Sequence, residues 1–434
     1  MTHENRIISP SPATPAPIVL GACVAGMGLA SVFLLAHTRF APSLGLAGLA
    51  GCWSEWLVAE AGVISLAWAL ASRPSDRSLS ARRLRVRRRL RVGAAVTAWG
   101  SAGLLGEVHL RWRGDYSTWL ERNGGSYASP YDSTGVAATF TLGQRRTFTL
   151  TQPEFSHEVV TNSLGLRDEE HPPAKPSGEY RVLALGDSFT MSQGAPLDDA
   201  WTRVLERTLN SVERTRRVRV LCAGVPGSDP VFGLRLLEER LLVYSPDLVL
   251  MVANASDVED IVVRGGFERF SQDGAVQFRE GPAWEVLFAH SHLVRFVVRR
   301  YGGRDDLLLQ RDERERREAE AGDVLVQSAR RLSELARHHG FEPMVVLHPM
   351  SFEVHAAETS TGRLWRLQIG ERIAAQGVPV LDLLPLFRDR TSPESIPEHF
   401  WPIDHHCTPR GYRIFAEGVA SRVEDVPGFP GARR

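Results

Sequence analysis

A serine lies where the first strongly apolar strand of the carboxyl-terminal half must turn, in Gly186-Asp187-Ser188-Phe189. The run 181–186 is rich in aliphatic residues and stops at a glycine, and the next regular pattern, Trp201 to Leu209, is helical. A hydroxyl at such a turn is presented at the carboxyl edge of a sheet, where open α/β sheets bind ligands. Ser188 is therefore a candidate nucleophile, while a turn or helix cap formed by Asp-Ser is the alternative interpretation.

Possible partners for Ser188 follow the ends of later apolar runs. The relevant blocks are Cys222-Ala-Gly224-Val-Pro-Gly227, Ala253-Asn254-Ala255-Ser256-Asp257 and Trp401-Pro-Ile-Asp404-His405-His406-Cys407-Thr408. A serine hydroxyl is a weak nucleophile until a nearby base takes its proton, and an imidazole oriented by a carboxylate can serve as that base. The residue types in these blocks therefore favour acyl-transfer chemistry.

Alternating strands and helices must position these blocks. Beyond Tyr180 the pattern predicts strands at 182–185, 218–221, 248–252, 343–347 and 378–381, with helices that include 201–209, 231–242 and a long amphipathic run near 311–338. Strands separated by helices predict an α/β fold with a mostly parallel sheet covered on both faces. Catalytic groups should then gather at the carboxyl ends of the strands.

Taken in order, the blocks resemble the SGNH, or GDSL, hydrolase superfamily over Asn162 to about Glu424. The resemblance implies a three-layer α/β/α sandwich with a flavodoxin-like sheet, and esterase or related acyl-transfer activity. It also implies roles for three residues, with Ser188 as nucleophile, His406 as general base and Asp404 as the carboxylate that orients the imidazole.

The oxyanion hole departs from the family pattern in one block. The backbone N–H groups of Ser188 and Gly224 match two of the family's donors, but Ser256 stands directly before Asp257, where the family usually has asparagine. Asn254 lies two residues earlier, and side chains at i and i+2 of a strand point the same way. Either Asn254 or Ser256 could therefore be the third donor, and the amide of Asn254 is favoured because it donates well.

The acid and base are separated by one residue, a spacing that resembles the subgroup with polysaccharide O-acetyltransferases and related deacetylases. His405 is consequently a rival base, and Asp382, at the end of the predicted strand 378–381, is an alternative carboxylate. His348 follows another predicted strand, where it could touch substrate or, as we favour, serve as a structural histidine.

Three apolar segments, 18–36, 44–71 and 92–108, precede residue 111 and predict an α-helical transmembrane anchor. Nine arginines and one acid, Asp76, lie between Arg73 and Arg91. Short arginine-rich loops remain cytoplasmic, so the chain beyond about Leu110 is predicted to be extracytoplasmic, on a multi-pass protein of the cell (inner) membrane. The alternative is that 18–36 is a cleaved signal peptide.

The domain organisation follows from these boundaries: residues 1–110 as membrane anchor, 111–178 as linker and small β segment, and 179–434 as hydrolase domain. Within the linker, Val136–Leu142 and Thr147–Thr151 read as a hairpin. The cysteines lack zinc-type spacing, although Cys222 and Cys407 could form a disulfide in an oxidising compartment. We expect no metal and no organic cofactor, and Lys175, the sole lysine, is not part of a phosphate-binding loop.

These patterns predict a membrane-anchored serine esterase that hydrolyses an O-acyl group, such as an O-acetyl group, on an extracytoplasmic carbohydrate or lipid. An O-acyltransferase of envelope polysaccharide, working with a membrane acyltransferase partner, is the first alternative. A non-catalytic binding or assembly protein is the second. The arginine run lies between apolar segments and the formal net charge is +0, which argues against a nucleic-acid partner.

Overall fold

The computed structural model describes residues 79–122, 124–132, 145–271, 276–357 and 361–431. The strands are β1 Thr147–Thr151, β2 Ser156–Val160, β3 Glu179–Gly186, β4 Arg217–Gly224, β5 Leu248–Ala253, β6 Glu342–Leu347 and β7 Val380–Asp382. The α-helices are α1 Leu79–Arg113, α2 Trp119–Arg122, α3 Ser188–Met191, α4 Trp201–Leu209, α5 Pro230–Leu236, α6 Ala255–Arg264, α7 Glu285–His290, α8 His292–Arg300, α9 Arg311–His339, α10 Ser351–Val354, α11 Thr361–Ala374, α12 Leu384–Arg390, α13 Ile396–His399 and α14 Pro409–Val423. The chain divides into two compact units, one formed by residues up to 127 with 286–301 and the other by 128–285 with 302–434.

In the first unit, the buried Glu107 of α1 binds the start of α8. Its carboxylate accepts hydrogen bonds from Ser291 Oγ at 2.8 Å, His292 N at 3.0 Å and Leu293 N at 2.7 Å. The first N–H groups of a helix have no acceptor within the helix, so a carboxylate there stabilises the helix start.

The predicted membrane spans have different outcomes. Segments 18–36 and 44–71 lie outside the described residues, whereas 92–108 lies within α1. Among the described helices, none combines the length and the apolar character that a bilayer span requires. The predicted span at 92–108 is therefore not supported.

In the second unit, β1 and β2 form an antiparallel hairpin that pairs Thr147 with Val160 and Thr151 with Ser156. The predicted hairpin paired Thr147–Thr151 with the preceding 136–142, whereas the strand that pairs with β1 among the described residues is β2. The turn is Gln152-Pro-Glu-Phe155, closed by a hydrogen bond from Gln152 N to Phe155 O at 2.9 Å. Residues 136–142 lie outside the described residues.

Five parallel strands form the main sheet in the order β4-β3-β5-β6-β7. This order is that of flavodoxin-like doubly wound sheets, and it confirms the predicted α/β fold with a mostly parallel sheet. Alternate residues of β3 face opposite sides: Val182 and Ala184 pack in one core with α4 and α14, while Leu183 and Leu185 pack in another with α5, α6 and α9. Helices therefore cover both faces, and the polar residues that follow the strands meet at one edge.

Candidate active site

Ser188 is the first residue of the short helix α3, directly after β3. Asp187 caps this helix, because its carboxylate accepts a hydrogen bond from Phe189 N at 2.8 Å. The side chain of Ser188 is half-buried, and its Oγ lies 2.7 Å from His406 Nε2. As the first helical residue, Ser188 also has an N–H group without an acceptor inside the helix.

A carboxylate orients the imidazole from its other side. His406 Nδ1 lies 2.6 Å from Asp404 Oδ1, and the amide of Gln193 donates to Asp404 Oδ2 at 3.2 Å. The side chains of His406 and Asp404 are 15% and 7% exposed. The structure thus joins Ser188, His406 and Asp404 in one hydrogen-bonded chain that remains open to solvent at the imidazole.

The carboxyl group of Asp404 is held in its charged form. Burial alone would raise its pKa, but the hydrogen bond and charge of His406, with the amide of Gln193, bring the pKa below its usual value. A carboxylate that stays ionised can hold Nδ1–H of the imidazole and leave Nε2 free to accept a proton from Ser188.

The loop between the acid and the base contains an unusual backbone. His405, the rival base, has φ of +67°, in the left-handed region that non-glycine residues rarely adopt. Its N–H donates to Trp401 O, while Trp401 N donates to His406 O, both at 2.8 Å. The histidine whose imidazole is hydrogen-bonded to Ser188 is His406.

Asn254 lies behind the nucleophile in a fully buried network. Its Nδ2 donates to Asp187 Oδ2 at 2.8 Å, and its backbone N–H donates to Asp257 Oδ2 at 2.6 Å. Burial raises the pKa of Asp187, against the opposing effect of the Asn254 hydrogen bond. Burial, followed by the charge of Asp187, raises the pKa of Asp257 well above its usual value.

The two candidates for the third oxyanion donor contact one another. Ser256 Oγ donates to Asn254 Oδ1 at 2.7 Å, and Ser256 is half-exposed whereas Asn254 is fully buried. Asn254 also caps α6. Gly224 ends β4 opposite Gly186, and a side chain at this position would collide with the backbone at Met191. Only glycine allows this close approach beside the nucleophile.

His348 does not contact Ser188. It is fully buried among aromatic rings that include Phe189 and Phe415, each with its centroid 4.7 Å away. Burial, together with the charge of Arg366, holds the pKa of His348 well below its usual value. It is therefore a neutral packing residue.

Neither the alternative carboxylate nor the cysteines join the site. Asp382 accepts hydrogen bonds from Leu384 N at 3.0 Å and from Arg366 at 3.3 Å. Cys222 and Cys407 are free, buried thiols. Cys407 contacts His348, and the Cys222 thiol donates to Thr190 O at 3.4 Å.

Three residues that the sequence did not single out support the site: Gln193, Arg167 and Glu154. The buried Arg167 donates to Met191 O, Ser192 O and Ala195 O at 2.8–3.2 Å, which fixes the chain after the nucleophile. Glu154 accepts from the backbone of the acid-bearing loop. The proximity of Gln193 to the Gly-Asp-Ser-Phe block was a usable signal, whereas Arg167 and Glu154 gave none.

Among the described residues, no group of three or more His, Cys, Asp or Glu side chains is arranged to hold a metal ion. The geometry of the site is suited to nucleophilic catalysis, because the imidazole of His406 lies within hydrogen-bond reach of both the serine and the carboxylate.

Comparisons with known proteins give one family match. Residues 301–434 match a family model described as SGNH hydrolase-like domain, acetyltransferase AlgX. The matched segment contains Asp404 and His406. The match confirms the resemblance to the SGNH superfamily, and no curated protein matches the sequence.

Several solved structures are similar at 13–14% identity. A lipase/acylhydrolase from Enterococcus faecalis is 14% identical with a TM-score of 0.36, over 59% of this chain and 99% of that one. The acetylxylan esterase Axe2 from Geobacillus stearothermophilus is 14% identical with a TM-score of 0.36, over 56% of this chain and 93% of that one. An acetyl xylan esterase, AlAXEase, is 13% identical with a TM-score of 0.35, over 56% of this chain and 99% of that one.

Proposed function

We propose that this chain, which carries an SGNH hydrolase-like domain, is a serine esterase that removes an O-acyl group through an acyl-enzyme intermediate. One observation carries the proposal: Ser188 Oγ, the imidazole of His406 and the carboxylate of Asp404 are joined by contacts of 2.7 and 2.6 Å. This is the arrangement in which a base activates a serine and a carboxylate fixes the base.

In the first half-reaction, Ser188 Oγ attacks the ester carbonyl carbon as His406 Nε2 takes its proton. Asp404 remains charged and stabilises the imidazolium. The oxyanion is placed against the N–H groups of Ser188 and Gly224, with Asn254 or Ser256 as the third donor. The tetrahedral intermediate collapses, the alkoxide leaves, and His406 returns the proton to it.

In the second half-reaction, a water molecule donates a proton to His406 and attacks the acyl carbon. The acid is released and Ser188 recovers its proton. The substrate class we propose is an O-acyl ester, such as an acetate ester, of a carbohydrate or lipid outside the cytoplasm. The apolar segments 18–36 and 44–71 and the arginine run support a multi-pass anchor in the inner membrane. Placing the catalytic domain on the outer side requires in addition that 92–108 crosses the bilayer, a span that the described helix does not support.

An O-acyltransferase is the second candidate, and the family description favours it because it names an acetyltransferase. The chemistry at Ser188 is the same, but the acceptor is a sugar hydroxyl of an envelope polysaccharide instead of water. A membrane acyltransferase partner would then supply the acyl group. A third candidate, a binding or assembly protein without turnover, predicts that Ser188→Ala leaves the cellular function intact.

The test uses the full-length protein in detergent with an aryl acetate, beside Ser188→Ala. We expect hydrolysis by the wild type and none above background by the variant. Mass spectrometry of envelope glycans and lipids from cells carrying each form then separates the candidates. Loss of Ser188 raises acylation if the enzyme is an esterase and lowers it if it is a transferase, whereas unchanged acylation and no turnover contradict both.

A further inference from the structure

The turn of the β1–β2 hairpin contacts the loop that carries the acid and the base. Glu154, in this turn, accepts hydrogen bonds from Ile403 N at 2.7 Å and Asp404 N at 2.9 Å through the same carboxylate oxygen, Oε2. The residues are separated by 249 and 250 positions in the chain. The hairpin forms its own two-stranded sheet apart from the main one.

A second contact fixes the same loop on the hairpin. The ring of Phe155 lies 5.5 Å from that of Trp401, measured between centroids. Trp401 Nε1 in turn donates to Gly194 O at 2.9 Å, in the segment that follows the nucleophile. The loop that begins at Trp401 therefore lies between the hairpin and the chain after Ser188.

This loop needs support from outside itself. The left-handed backbone of His405 is a conformation that persists only where surrounding contacts hold it. Hydrogen bonds from backbone N–H groups to a carboxylate are among the stronger ones in proteins. The Glu154 contacts end at Asp404 N, so they fix the residue whose side chain must stay 2.6 Å from the imidazole.

We propose that Glu154 is a positioning residue for the catalytic acid, holding the backbone of Ile403 and Asp404 so that the Asp404 carboxylate orients His406. The inference rests on the proposed function, because it assumes that the Asp404–His406 pair acts on Ser188. Glu154 itself lies outside the reacting atoms and acts through Asp404.

The experiment compares Glu154→Ala, Glu154→Gln and Glu158→Ala in the full-length protein. The glutamine keeps an oxygen that can accept both N–H groups. Glu158 is the matched control, since it is an exposed glutamate on β2 of the same hairpin. For aryl acetate hydrolysis we expect Glu154→Ala to lower kcat about 10- to 100-fold with KM nearly unchanged, because misplacing a catalytic group by about 1 Å has effects of that size.

We expect Glu154→Gln to recover most of the lost kcat, and Glu158→Ala to match the wild type. A value of kcat for Glu154→Ala within about twofold of that for Glu158→Ala would overturn the proposal, because the misplacement of a catalytic group costs far more. Equal losses of kcat in Glu154→Gln and Glu154→Ala would also overturn it, since the accepting oxygen would then not be the cause.

A readout independent of turnover separates this inference from the proposed function. The proton between His406 Nδ1 and Asp404 should give a low-field proton NMR signal in the wild type, in Glu154→Gln and in Glu158→Ala, and this signal should be shifted or lost in Glu154→Ala. If wild type and Ser188→Ala hydrolyse ester equally, the proposed function fails while the NMR comparison still tests Glu154. The positioning role would be contradicted if the wild type and the three variants at Glu154 and Glu158 gave the same low-field spectrum, whether or not it contains the signal.

Discussion

Two aspartates near the nucleophile have pKa values shifted in opposite directions. Asp404 lies beside an imidazole and the Gln193 amide, and these bring its pKa below the usual value. Asp187 directly precedes the nucleophile, yet it is buried with Asn254 and the N–H of Phe189, and burial raises its pKa. The charge of His406 lowers the pKa of both carboxylates, but only Asp404 also accepts a hydrogen bond from its imidazole. At Asp187, the cost of full burial outweighs the opposing effects of the Asn254 hydrogen bond and the His406 charge.

The regions around Asp404 and around Asp187 have different tasks. Asp404 orients and stabilises the imidazole that takes the proton of Ser188. Asp187, with Asn254 and Asp257, stabilises the turn that presents Ser188. Changes in the first region should therefore affect turnover before stability. Changes in the second should affect stability and its pH dependence.

The largest effect is expected from His406→Ala, which removes the base. We expect kcat for ester hydrolysis to fall about 10⁵- to 10⁶-fold, toward the value for Ser188→Ala, because residues of a triad act as a unit. His405→Ala is the neighbouring control and should retain wild-type turnover. A large loss in His405→Ala with activity in His406→Ala would reverse the assignment of the base.

Asp404→Asn should have the next largest effect. Asparagine retains the shape but lacks the charge that holds the productive tautomer of His406, so we expect kcat to fall about 10⁴-fold with the fold intact. The measurement is kcat against pH, with circular dichroism to confirm folding. Asp382→Asn is the matched control on the other candidate carboxylate, and a comparable kinetic loss there would contradict the role of Asp404.

The smallest effect is expected from Asp257, in the region around Asp187. Because burial raises the pKa of Asp257 above its unfolded value, the native state binds the proton more tightly, and the free energy of unfolding falls as pH rises from the ordinary carboxyl range toward that raised pKa. Asp257→Asn removes this charge but keeps an oxygen that can accept from Asn254 N.

We therefore expect Asp257→Asn to narrow the difference in Tm between pH 5 and pH 8, by about 2–4 °C for each kcal/mol of charge penalty removed. Asp198→Asn, at an exposed aspartate, should leave the pH dependence as in the wild type. The predicted direction would be contradicted if the Tm of Asp257→Asn fell more steeply than that of the wild type as the pH rises.

The sheet and the candidate nucleophile Ser188 could be predicted from local signals, whereas the roles of Asp404 and His406 were implied by the family resemblance. Aliphatic runs mark β3 to β6, and the serine, aspartate and histidine stand directly beyond predicted strands or within a short polar block. The strand order could be anticipated only through the family resemblance. Pairing between strands depends on contacts distant in the chain, which periodicity does not record.

Other features left no such signal. Glu154 binds backbone N–H groups, which every residue but proline has, so no residue pattern marks its partner. The pairing of β1 with β2 was not predicted, because 136–142 and Ser156–Val160 both contain strand-forming residues next to Thr147–Thr151. The buried position of Asn254 follows from Asp187 and Asp257, which contact it from two sides.

The central claim, that Ser188 is an activated nucleophile, is tested most directly by labelling the full-length protein with a fluorophosphonate and locating the adduct by mass spectrometry. The account predicts one adduct, on Ser188, that is absent in Ser188→Ala and forms far more slowly in His406→Ala than in His405→Ala. An adduct on another residue, equal labelling of wild type and Ser188→Ala, or no labelling of the folded wild type would contradict it.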